Sequence, residues 1–315
     1  MSDLAIVVVS YNTRELTREC LDSVYASLER SELDAVVYVV DNASSDGSAD
    51  MVRAHFPQVR LIASEENLGF ARGNNLALRD MGLGGLEQDA ASCSNLQVLL
   101  LNPDTVVLGK AIETLYRFLR AHPRIGLVGA ALVHSDGGFQ HSAFRFPSLA
   151  QVLLDFFPIN HRLLDSRLNG RYPRRLYEAG DPFSIDHPLG AVMMVRGEVI
   201  GQVGLMDEGF FMYCEEIDWC MRIKRCGWQI NCVPRARIVH HVAQSTRQFR
   251  DRMFVELWRS RYRLFDKHYG LLHGWMVRRI VRLGLWRDAQ RVRRGDATVE
   301  ERGSQLRAYR EVCEM

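Results

Sequence analysis

Short apolar runs alternate, through the first half of the chain, with segments in which apolar residues recur every three or four positions. The runs at residues 4–9, 35–40 and 98–101 have the length of strands and are apolar throughout, as expected for strands covered on both faces. The segment at residues 16–28 has helical periodicity. This alternation predicts βαβ units, and therefore an α/β fold with a mixed, mostly parallel sheet flanked by helices.

Polar residues follow three of the predicted strands. The sequences are Ser10-Tyr11-Asn12, Asp41-Asn42 and Asn102-Pro103-Asp104. Ligands of open α/β sheets bind outside the carboxyl ends of the strands. A strand terminus alone explains any single one of these sequences, but three together predict a binding site at this edge. Asn12 and Glu15 also have the spacing of a capping box, which predicts a helix start there.

An acidic cluster follows an aromatic segment near residue 213. Glu215, Glu216 and Asp218 lie within four positions, and helix N-termini favour acids in any protein. Apolar neighbours on both sides predict raised carboxyl pKa values, which suit a general base. The spacing of Glu215 and Asp218 places them on one helix face, with Glu216 pointing elsewhere. We therefore expect one acid to enter a cleft and another to support it.

His240 and His241 close a late strand, so their side chains face opposite sides. At most one of them can enter a given site, and a structural role is the alternative for either. An imidazole together with a distant carboxylate suits Mn²⁺ or Mg²⁺ better than a closed zinc site.

Taken together, these motifs resemble family 2 inverting glycosyltransferases of the GT-A fold, and in particular a rhamnosyltransferase-like branch that builds bacterial surface polysaccharides. The resemblance covers residues 4–245 in the family's order. It is carried by VVVSYNTRELTRECLDSV, VVDNASSDGS, ENLGFARGNN, LLLNPDTVV, LGAVMMVR, LMDEGFFMYCEEIDWCMRIKRCGW and the late histidine. The implied fold is Rossmann-like and binds a nucleotide sugar.

The resemblance also implies roles for individual residues. Those that would bind the nucleotide sugar are Ser10, Tyr11, Asn12, Asp41, Asn42, Gly69, Arg72, Gly73, Asn74, Asn102 and Asp104. Among these, Asp41 would contact the pyrimidine edge. Asp104 matches the last acid of the DxD motif and, with His240, would hold Mg²⁺ or Mn²⁺. Asn102 replaces the first Asp of that motif, so the metal has one charged ligand fewer and its necessity is left open.

The catalytic pair of the family falls at Glu215 and Glu216. Glu216 aligns with the base, and Asp218 is the alternative. The residues assigned to an acceptor site are Gly190, Phe211, Tyr213 and Trp219, with core packing as the alternative for the rings. The implied reaction transfers a sugar with inversion to a hydroxyl of a glycan or lipid-linked glycan. L-Rhamnose from dTDP-rhamnose is the first choice of donor, and uridine-diphosphate hexoses are the second.

The charge of the chain is uneven. Residues 247–315 carry 17 Lys and Arg against 9 Asp and Glu, whereas the whole chain has a net charge of only +2. We therefore divide the chain into a catalytic domain at 1–246 and a basic amphipathic helical extension at 247–315. The extension either packs on the domain or lies on an anionic membrane. It contains no nucleic-acid-binding motif, so we expect no nucleic-acid partner.

Two further features bear on location. No apolar run reaches the length of a membrane span, and no signal peptide precedes the first strand. The seven cysteines show no CxxC pair and are expected to be reduced. We therefore expect a cytoplasmic protein, peripheral on the inner face of the plasma membrane. Homo-oligomerisation is left open.

Two other functions are compatible with the predicted fold. Nucleotidyl transfer usually requires a glycine-rich loop after the first strand, and SYNTREL contains no glycine. A non-catalytic subunit that binds a nucleotide sugar or a glycan is the stronger alternative. Asp41, Asp104, Glu216 and His240 together disfavour it, because a binding subunit has no need of a base. Turnover separates it from the transferase.

Overall fold

The computed structural model describes residues 3–84, 95–157, 166–241, 250–294 and 298–315. Its strands are β1 (Leu4–Ser10), β2 (Ala35–Asn42), β3 (Arg60–Ser64), β4 (Gln97–Leu101), β5 (Thr105–Val107), β6 (Ile125–Val133), β7 (Phe139–Gln140), β8 (Ala143–Phe144), β9 (Phe183–Ser184), β10 (His187–Pro188), β11 (Val192–Arg196) and β12 (Gln229–His240). Its helices are α1 (Arg14–Glu29), α2 (Ser48–His55), α3 (Gly69–Asp80), α4 (Ala111–Ala121), α5 (Leu149–Phe156), α6 (Arg174–Glu178), α7 (Gly197–Val203), α8 (Glu215–Arg225), α9 (Arg250–Tyr269), α10 (Leu271–Arg294) and α11 (Val299–Glu314). The expected domain boundary at 246/247 lies outside the described residues.

The main sheet has the strand order β3-β2-β1-β4-β11-β6-β12-β5. Strands β1, β2, β3 and β4 pair in parallel, and β12 pairs in parallel with β6. β11 inserts antiparallel between β4 and β6, and β5 lies antiparallel on β12. The predicted mixed, mostly parallel sheet flanked by helices is therefore confirmed.

Both faces of the sheet are covered, which explains why its central strands are apolar throughout. Along β1, Leu4, Ile6 and Val8 pack into the core under α1 and α4, whereas Val7 and Val9 pack into the core under α3 and α8. This alternation leaves no face of β1 for polar residues until the strand ends. Polar side chains that could bind a ligand are therefore confined to the strand ends and the loops that follow them.

The C-terminal helices α9, α10 and α11 pack together with α5 around a third apolar core. Trp258, Phe265, Val277, Val281 and Val312 are fully or almost fully buried there. A fourth cluster joins α8 to α9 through contacts that include Met221 and Leu264. In the part of the chain that the structure describes, no helix has the length and apolar character needed to cross a membrane.

Candidate active site

A cavity of about 390 Å³ opens at the carboxyl edge of the parallel strands. The predicted site residues that line it are Tyr11, Asn42, Gly69, Asn102, Asp104, Gly190, Phe211, Tyr213, Glu215, Glu216 and His240. β1, β2 and β4 end side by side because they pair in register and in parallel. Residues more than two hundred positions apart therefore meet in one cavity, as the polar strand ends predicted.

The end of β1 is organised by hydroxyl groups. Ser10 is fully buried, and its Oγ lies 2.9 Å from Oγ1 of Thr17 on α1. It supports the strand end and does not line the cavity, whereas the neighbouring Tyr11 does. Ser10 therefore serves the site indirectly.

Asn12 does not cap the first helix, so the predicted capping box is wrong. Helix α1 begins at Arg14, and its N-cap residue Thr13 makes no capping side-chain bond. Asn12 has a left-handed backbone with φ 51°, and its Oδ1 accepts a 2.7 Å hydrogen bond from the backbone N–H of Ser45. Its carboxamide thus ties the loop after β1 to the loop after β2.

The end of β2 holds a buried acid beside the cavity. Asp41 is 3% exposed, and its Oδ2 accepts a hydrogen bond from the backbone N–H of Ser44. Its Oδ1 is buried without a hydrogen-bond partner among the described residues. Buried polar atoms are rarely left unpaired, so this oxygen is a candidate acceptor for a ligand N–H.

The loop before α3 is fastened to β2 by Asn42. The Asn42 side chain donates to the carbonyl of Gly69 and accepts from the N–H of Leu68. Gly69 has φ 77°, and a Cβ at this position would lie 2.1 Å from the carbonyl oxygen of Phe211. Only glycine allows this approach, in which the N–H of Phe70 donates to that same oxygen.

Three other residues of the predicted nucleotide loop do not line the cavity. Arg72 forms an ion pair with Glu208 at 3.5 Å. Gly73 allows α3 to pack closely on Val9, and the Asn74 side chain donates to the carbonyl of Phe70. In this structure these residues help to hold α3 against the sheet, and their assignment to the nucleotide site stays a prediction.

Asp104 and His240 lie together on the cavity wall. Pairing of β5 with β12 places Thr105 opposite His240, and Asp104 Oδ1 lies 3.5 Å from His240 Nε2. Gln140 Nε2 lies 2.9 Å from the other ring nitrogen and fixes the orientation of the imidazole. His241 turns to the opposite side, where its Nδ1 is 2.8 Å from Ser135 Oγ. The predicted division between the two histidines is confirmed.

These residues fit a divalent cation that takes its other ligands from a bound diphosphate. Among the described residues no group of three His, Cys, Asp or Glu side chains could hold a metal ion by itself. One carboxylate and one imidazole are suitable ligands for Mn²⁺. The adjacent Asn102 has a buried Oδ1 that lacks a hydrogen-bond partner within the described part of the chain. That oxygen is available to a ligand.

Glu215 and Glu216 both line the cavity at the start of α8. Tyr213 and Cys214 directly before them have left-handed backbones with φ 71° and 68°, an uncommon conformation for residues other than glycine. This bend directly precedes the first turn of α8, from which both carboxyl groups reach the cavity. Helical spacing assigned Glu216 to a different face from Glu215 and Asp218, yet Glu215 and Glu216 both line the cavity and Asp218 does not.

The two carboxyl groups have unusual proton affinities. Burial raises the pKa of Glu216 to about 7, and burial together with the charge of Glu216 raises the pKa of Glu215 well above its ordinary value. One oxygen of each has no hydrogen-bond partner among the described residues. A Cβ on Gly190 would lie 3.5 Å from Glu216 Cγ, so this glycine lies beside the carboxylate. The geometry suits a base that faces a substrate hydroxyl.

Asp218 lies outside the cavity, which corrects its assignment as the alternative base. Its Oδ2 accepts from Arg222 at 2.9 Å, and its Oδ1 is 2.6 Å from Lys267 Nζ and 2.7 Å from His268 Nε2. Although burial opposes ionisation, these hydrogen bonds and charges lower the pKa of Asp218. A carboxylate held in this way is a poor proton acceptor.

Trp219 also lies outside the cavity, so its assignment to an acceptor site is wrong. The ring is fully buried, and its Nε1 donates to the carbonyl of Gly204 at 2.9 Å. Phe211 and Tyr213, in contrast, do line the cavity. Core packing, the alternative considered for these rings, therefore applies to Trp219.

The cavity residues that sequence reasoning missed include Arg252 and Met253 in the first turn of α9. Arg252 is exposed, and no ion pair to it occurs among the described residues. The only sequence signal was the basic character of the extension, which does not distinguish one arginine from another. The extension is thus part of the site, because α9 contributes to the cavity wall.

A family comparison matches the part of the chain that contains the strand ends at the cavity. The model described as Glycosyl transferase family 2 matches residues 5–173. The chain belongs to this family. Within the match lie β1, β2 and β4, whose ends carry the cavity. The remaining site residues, from Gly190 onwards, lie beyond the matched segment.

Curated relatives of this family 2 glycosyltransferase include rhamnosyltransferases. The chain is 31% identical over 249 residues to N-acetylglucosaminyl-diphospho-decaprenol L-rhamnosyltransferase of Mycobacterium tuberculosis (strain CDC 1551 / Oshkosh), covering 77% of both chains. It is 23% identical to rhamnosyltransferase WbbL of Escherichia coli (strain K12), over 79% of this chain and 87% of the relative. The protein is accordingly a hexosyltransferase enzyme, which disfavours the non-catalytic alternative.

Solved structures confirm the GT-A fold. Mannosyltransferase PcManGT from Pyrobaculum calidifontis, in complex with GDP-Man and Mn²⁺, superposes with a TM-score of 0.56 and 17% identity, over 100% of this chain and 84% of that one. GalNAc-T7 with UDP, GalNAc and Mn²⁺ gives a TM-score of 0.55 and 14% identity. That match covers 76% of this chain and only 44% of GalNAc-T7. Both neighbours contain Mn²⁺, consistent with a divalent cation in this fold.

Proposed function

We propose that this enzyme transfers a sugar with inversion from a nucleotide-diphosphate sugar to a hydroxyl of a glycan or lipid-linked glycan, in bacterial cell-surface polysaccharide synthesis. L-Rhamnose from dTDP-rhamnose is the proposed donor, because rhamnosyltransferases are among its relatives. One observation carries the proposal: the cavity combines a carboxylate whose pKa burial raises to about 7, Glu216, with the Asp104–His240 pair.

The nucleotide part of the donor is proposed to lie at the ends of β1 and β2. Tyr11 and Asn42 line the cavity there, and the unpaired Oδ1 of Asp41 would accept a hydrogen bond from the base. The diphosphate would lie toward Asp104 and His240. A divalent cation bound by these two residues would neutralise charge on the diphosphate as it leaves. Arg252 would add a positive charge at the same cavity.

The acceptor is proposed to lie between the aromatic loop and the carboxylate pair. The Glu216 carboxylate would take the proton of the acceptor hydroxyl while that oxygen bonds to the anomeric carbon. The bond from the anomeric carbon to the diphosphate oxygen breaks with its electron pair going to the diphosphate. Attack on the face opposite the leaving group inverts the anomeric centre. Glu215, with its raised pKa, would keep its proton and leave Glu216 as the base.

The test is nucleoside-diphosphate release with a panel of nucleotide sugars, with and without Mn²⁺ or Mg²⁺, for wild type and Glu216→Gln. We expect Glu216→Gln to bind the donor normally and to lose turnover by roughly 10²–10⁴-fold, the usual contribution of a general base. Glu198→Gln is the matched control, because Glu198 is exposed on α7 away from the cavity. Binding of no nucleotide sugar by the wild type under any metal condition would falsify the proposal.

A further inference from the structure

Helix α10 exposes a second apolar surface that the packing of the C-terminal helices does not use. Trp275 is 55% exposed and Trp286 is 67% exposed, large fractions for so large an aromatic side chain. We name this surface the docking face and define it by Leu272, Trp275, Arg279, Leu283, Trp286 and Arg293, all of which are exposed. An exposed apolar surface of this kind marks an interaction site.

The docking face is one continuous stripe. Its residues follow one another at steps of three, four or seven positions, the spacings that place side chains on one side of a helix. The buried residues Val277, Val281 and Leu285 form a separate stripe that packs against α9 and α5. Folding of the bundle accounts for the buried stripe alone. The exposed stripe therefore needs another partner.

The docking face is cationic as well as apolar. Helix α10 contains seven arginines and a single acid, Asp288, which lies 3.4 Å from Arg291. At about 100° per residue, Asp288 lies on the far side of the helix from the docking face. The guanidinium of Arg279 stacks over Trp275 with 5.1 Å between its carbon and the ring centroid. The face thus presents aromatic rings and positive charges without a neighbouring carboxylate on the same helix.

We propose that the docking face lies on an anionic lipid surface. Tryptophan and arginine together suit the boundary between headgroups and acyl chains, where the rings enter the interface and the guanidinium groups meet lipid phosphates. A basic stripe is attracted to anionic lipid, at about 1 kcal/mol for each arginine near the surface. The helix has no span able to cross the bilayer, so it would lie in the plane of the surface.

The C-terminal half of the docking face lies toward the end of the helical bundle at which α9 contributes to the cavity. Helices α9 and α10 run antiparallel: Arg278 bonds to Asp266 and stacks on Tyr262. Further along, Phe156 stacks on Trp258 and also contacts Gly284. The C-terminal half of the docking face is therefore level with the N-terminal half of α9.

The first turn of α9 carries Arg252 and Met253, which line the cavity. A lipid surface under the docking face would therefore lie beside the active site. This placement suits an acceptor that is itself anchored in lipid. The link to the acceptor rests on the proposed function, whereas binding of the docking face to lipid does not.

The test is flotation of the full chain with vesicles of phosphatidylcholine alone and with vesicles in which phosphatidylglycerol replaces part of it. We expect the wild type to float with the anionic vesicles and to be released by salt. Trp275→Ser/Trp286→Ser should weaken binding by about tenfold or more. Arg279→Gln/Arg293→Gln should weaken it by roughly 25-fold, the equivalent of two arginines.

Val299→Ser is the matched control, because Val299 is exposed on α11 outside the docking face. It should bind vesicles as the wild type does. Should the tryptophan variant fail to fold, quenching of wild-type tryptophan fluorescence by brominated phosphatidylglycerol provides a second measurement. Strong quenching supports the proposal, and its absence contradicts it.

Equal binding of anionic vesicles by the wild type and both double variants would overturn the proposal. So would a vesicle-free dimer that the tryptophan variant makes monomeric, since the face would then join two copies of the chain. Turnover with a water-soluble acceptor should be the same for wild type and Trp275→Ser/Trp286→Ser. Intact vesicle binding without any turnover would count against the proposed function alone.

Discussion

Burial of the Glu216 carboxyl group lowers stability, but it also changes the proton affinity of that group. A buried carboxylate is costly, and this cost is what brings its pKa to about 7. Glu215 is its immediate neighbour and is 5% exposed. Two adjacent buried carboxyl groups resist joint ionisation, so one retains a proton at neutral pH. The pair can thus offer one base and one hydrogen-bond donor to the cavity.

The proton affinity of Glu216 predicts the pH dependence of turnover. The base works when it is ionised, so kcat/KM should rise with pH through about 7 and level off above it. Glu215 keeps its proton in this pH range, so Glu215→Gln removes no charge beside Glu216 and should leave this midpoint nearly unchanged. A pH profile of nucleoside-diphosphate release for both proteins measures the two midpoints, and a flat wild-type profile between pH 5 and pH 9 contradicts the assignment.

Gly69 provides a test of the close contact between two cavity loops. Gly69→Ala should lower the free energy of unfolding by about 2–4 kcal/mol, through a positive φ and a collision with the carbonyl of Phe211. Gly137→Ala has the same positive φ but no atom within 4 Å of the added Cβ, so it should cost only about 1 kcal/mol. Equal losses in urea unfolding would show that the collision is unimportant.

At the scale of elements, helix α8 is positioned by contacts on the side opposite its cavity residues. Asp218 connects α8 to Lys267 and His268 on α9, and Arg222 donates to the carbonyls of Val203 and Leu205. These contacts fix the angle of the helix whose first turn carries the catalytic pair. Asp218 thus acts as a positioning residue.

Asp218→Asn tests this role. Loss of the charge leaves Arg222 and Lys267 with a weaker partner, so we expect unfolding to become easier by about 3 kcal/mol at pH 7. The pKa of Asp218 is lowered, so the stability that it supplies is present at neutral pH and lost as the pH falls through the folded-state pKa. Thermal unfolding of the wild type and of Asp218→Asn, at neutral pH and at acid pH, measures this contribution to stability. Asp181→Asn, at an exposed ion pair of 4.0 Å, is the control and should be nearly neutral.

At the scale of the whole molecule, the C-terminal helices belong to the active site as well as to their own core. Ser260 on α9 donates to the carbonyl of Met212, in the loop that precedes the carboxylate pair. Arg252 of the same helix reaches the cavity. The basic extension therefore has one side that completes the cavity and another, on α10, that is free to meet lipid.

Arg252→Gln should raise KM for the nucleotide sugar by roughly tenfold, because a positive charge near the diphosphate is lost. The folding stability should be unchanged, since the residue is exposed. Arg307→Gln on α11 is the control, at an exposed arginine that does not line the cavity. Steady-state kinetics with saturating acceptor measures the effect, and an unchanged KM would show that Arg252 does not contact the donor.

The sequence by itself determined the order of the elements, the parallel sheet and the strand ends that carry polar residues. These features follow from interactions between chain neighbours: apolar runs form buried strands, and a polar residue marks where burial stops. Asn42, Asp104 and His240 could be found in this way because each is the point at which an apolar pattern ends. The same reasoning separated His240 from His241, since strand side chains alternate.

Tertiary structure decided which members of a local group face the cavity. Glu215 and Glu216 both line it from the first turn of α8, whereas Asp218 and Trp219 of the same helix are turned into contacts with α9 and α7. Arg252 reaches the cavity through packing of α9 on the catalytic body, which no local pattern encodes. These outcomes depend on contacts between residues far apart in the chain, and such contacts are set by how whole elements pack.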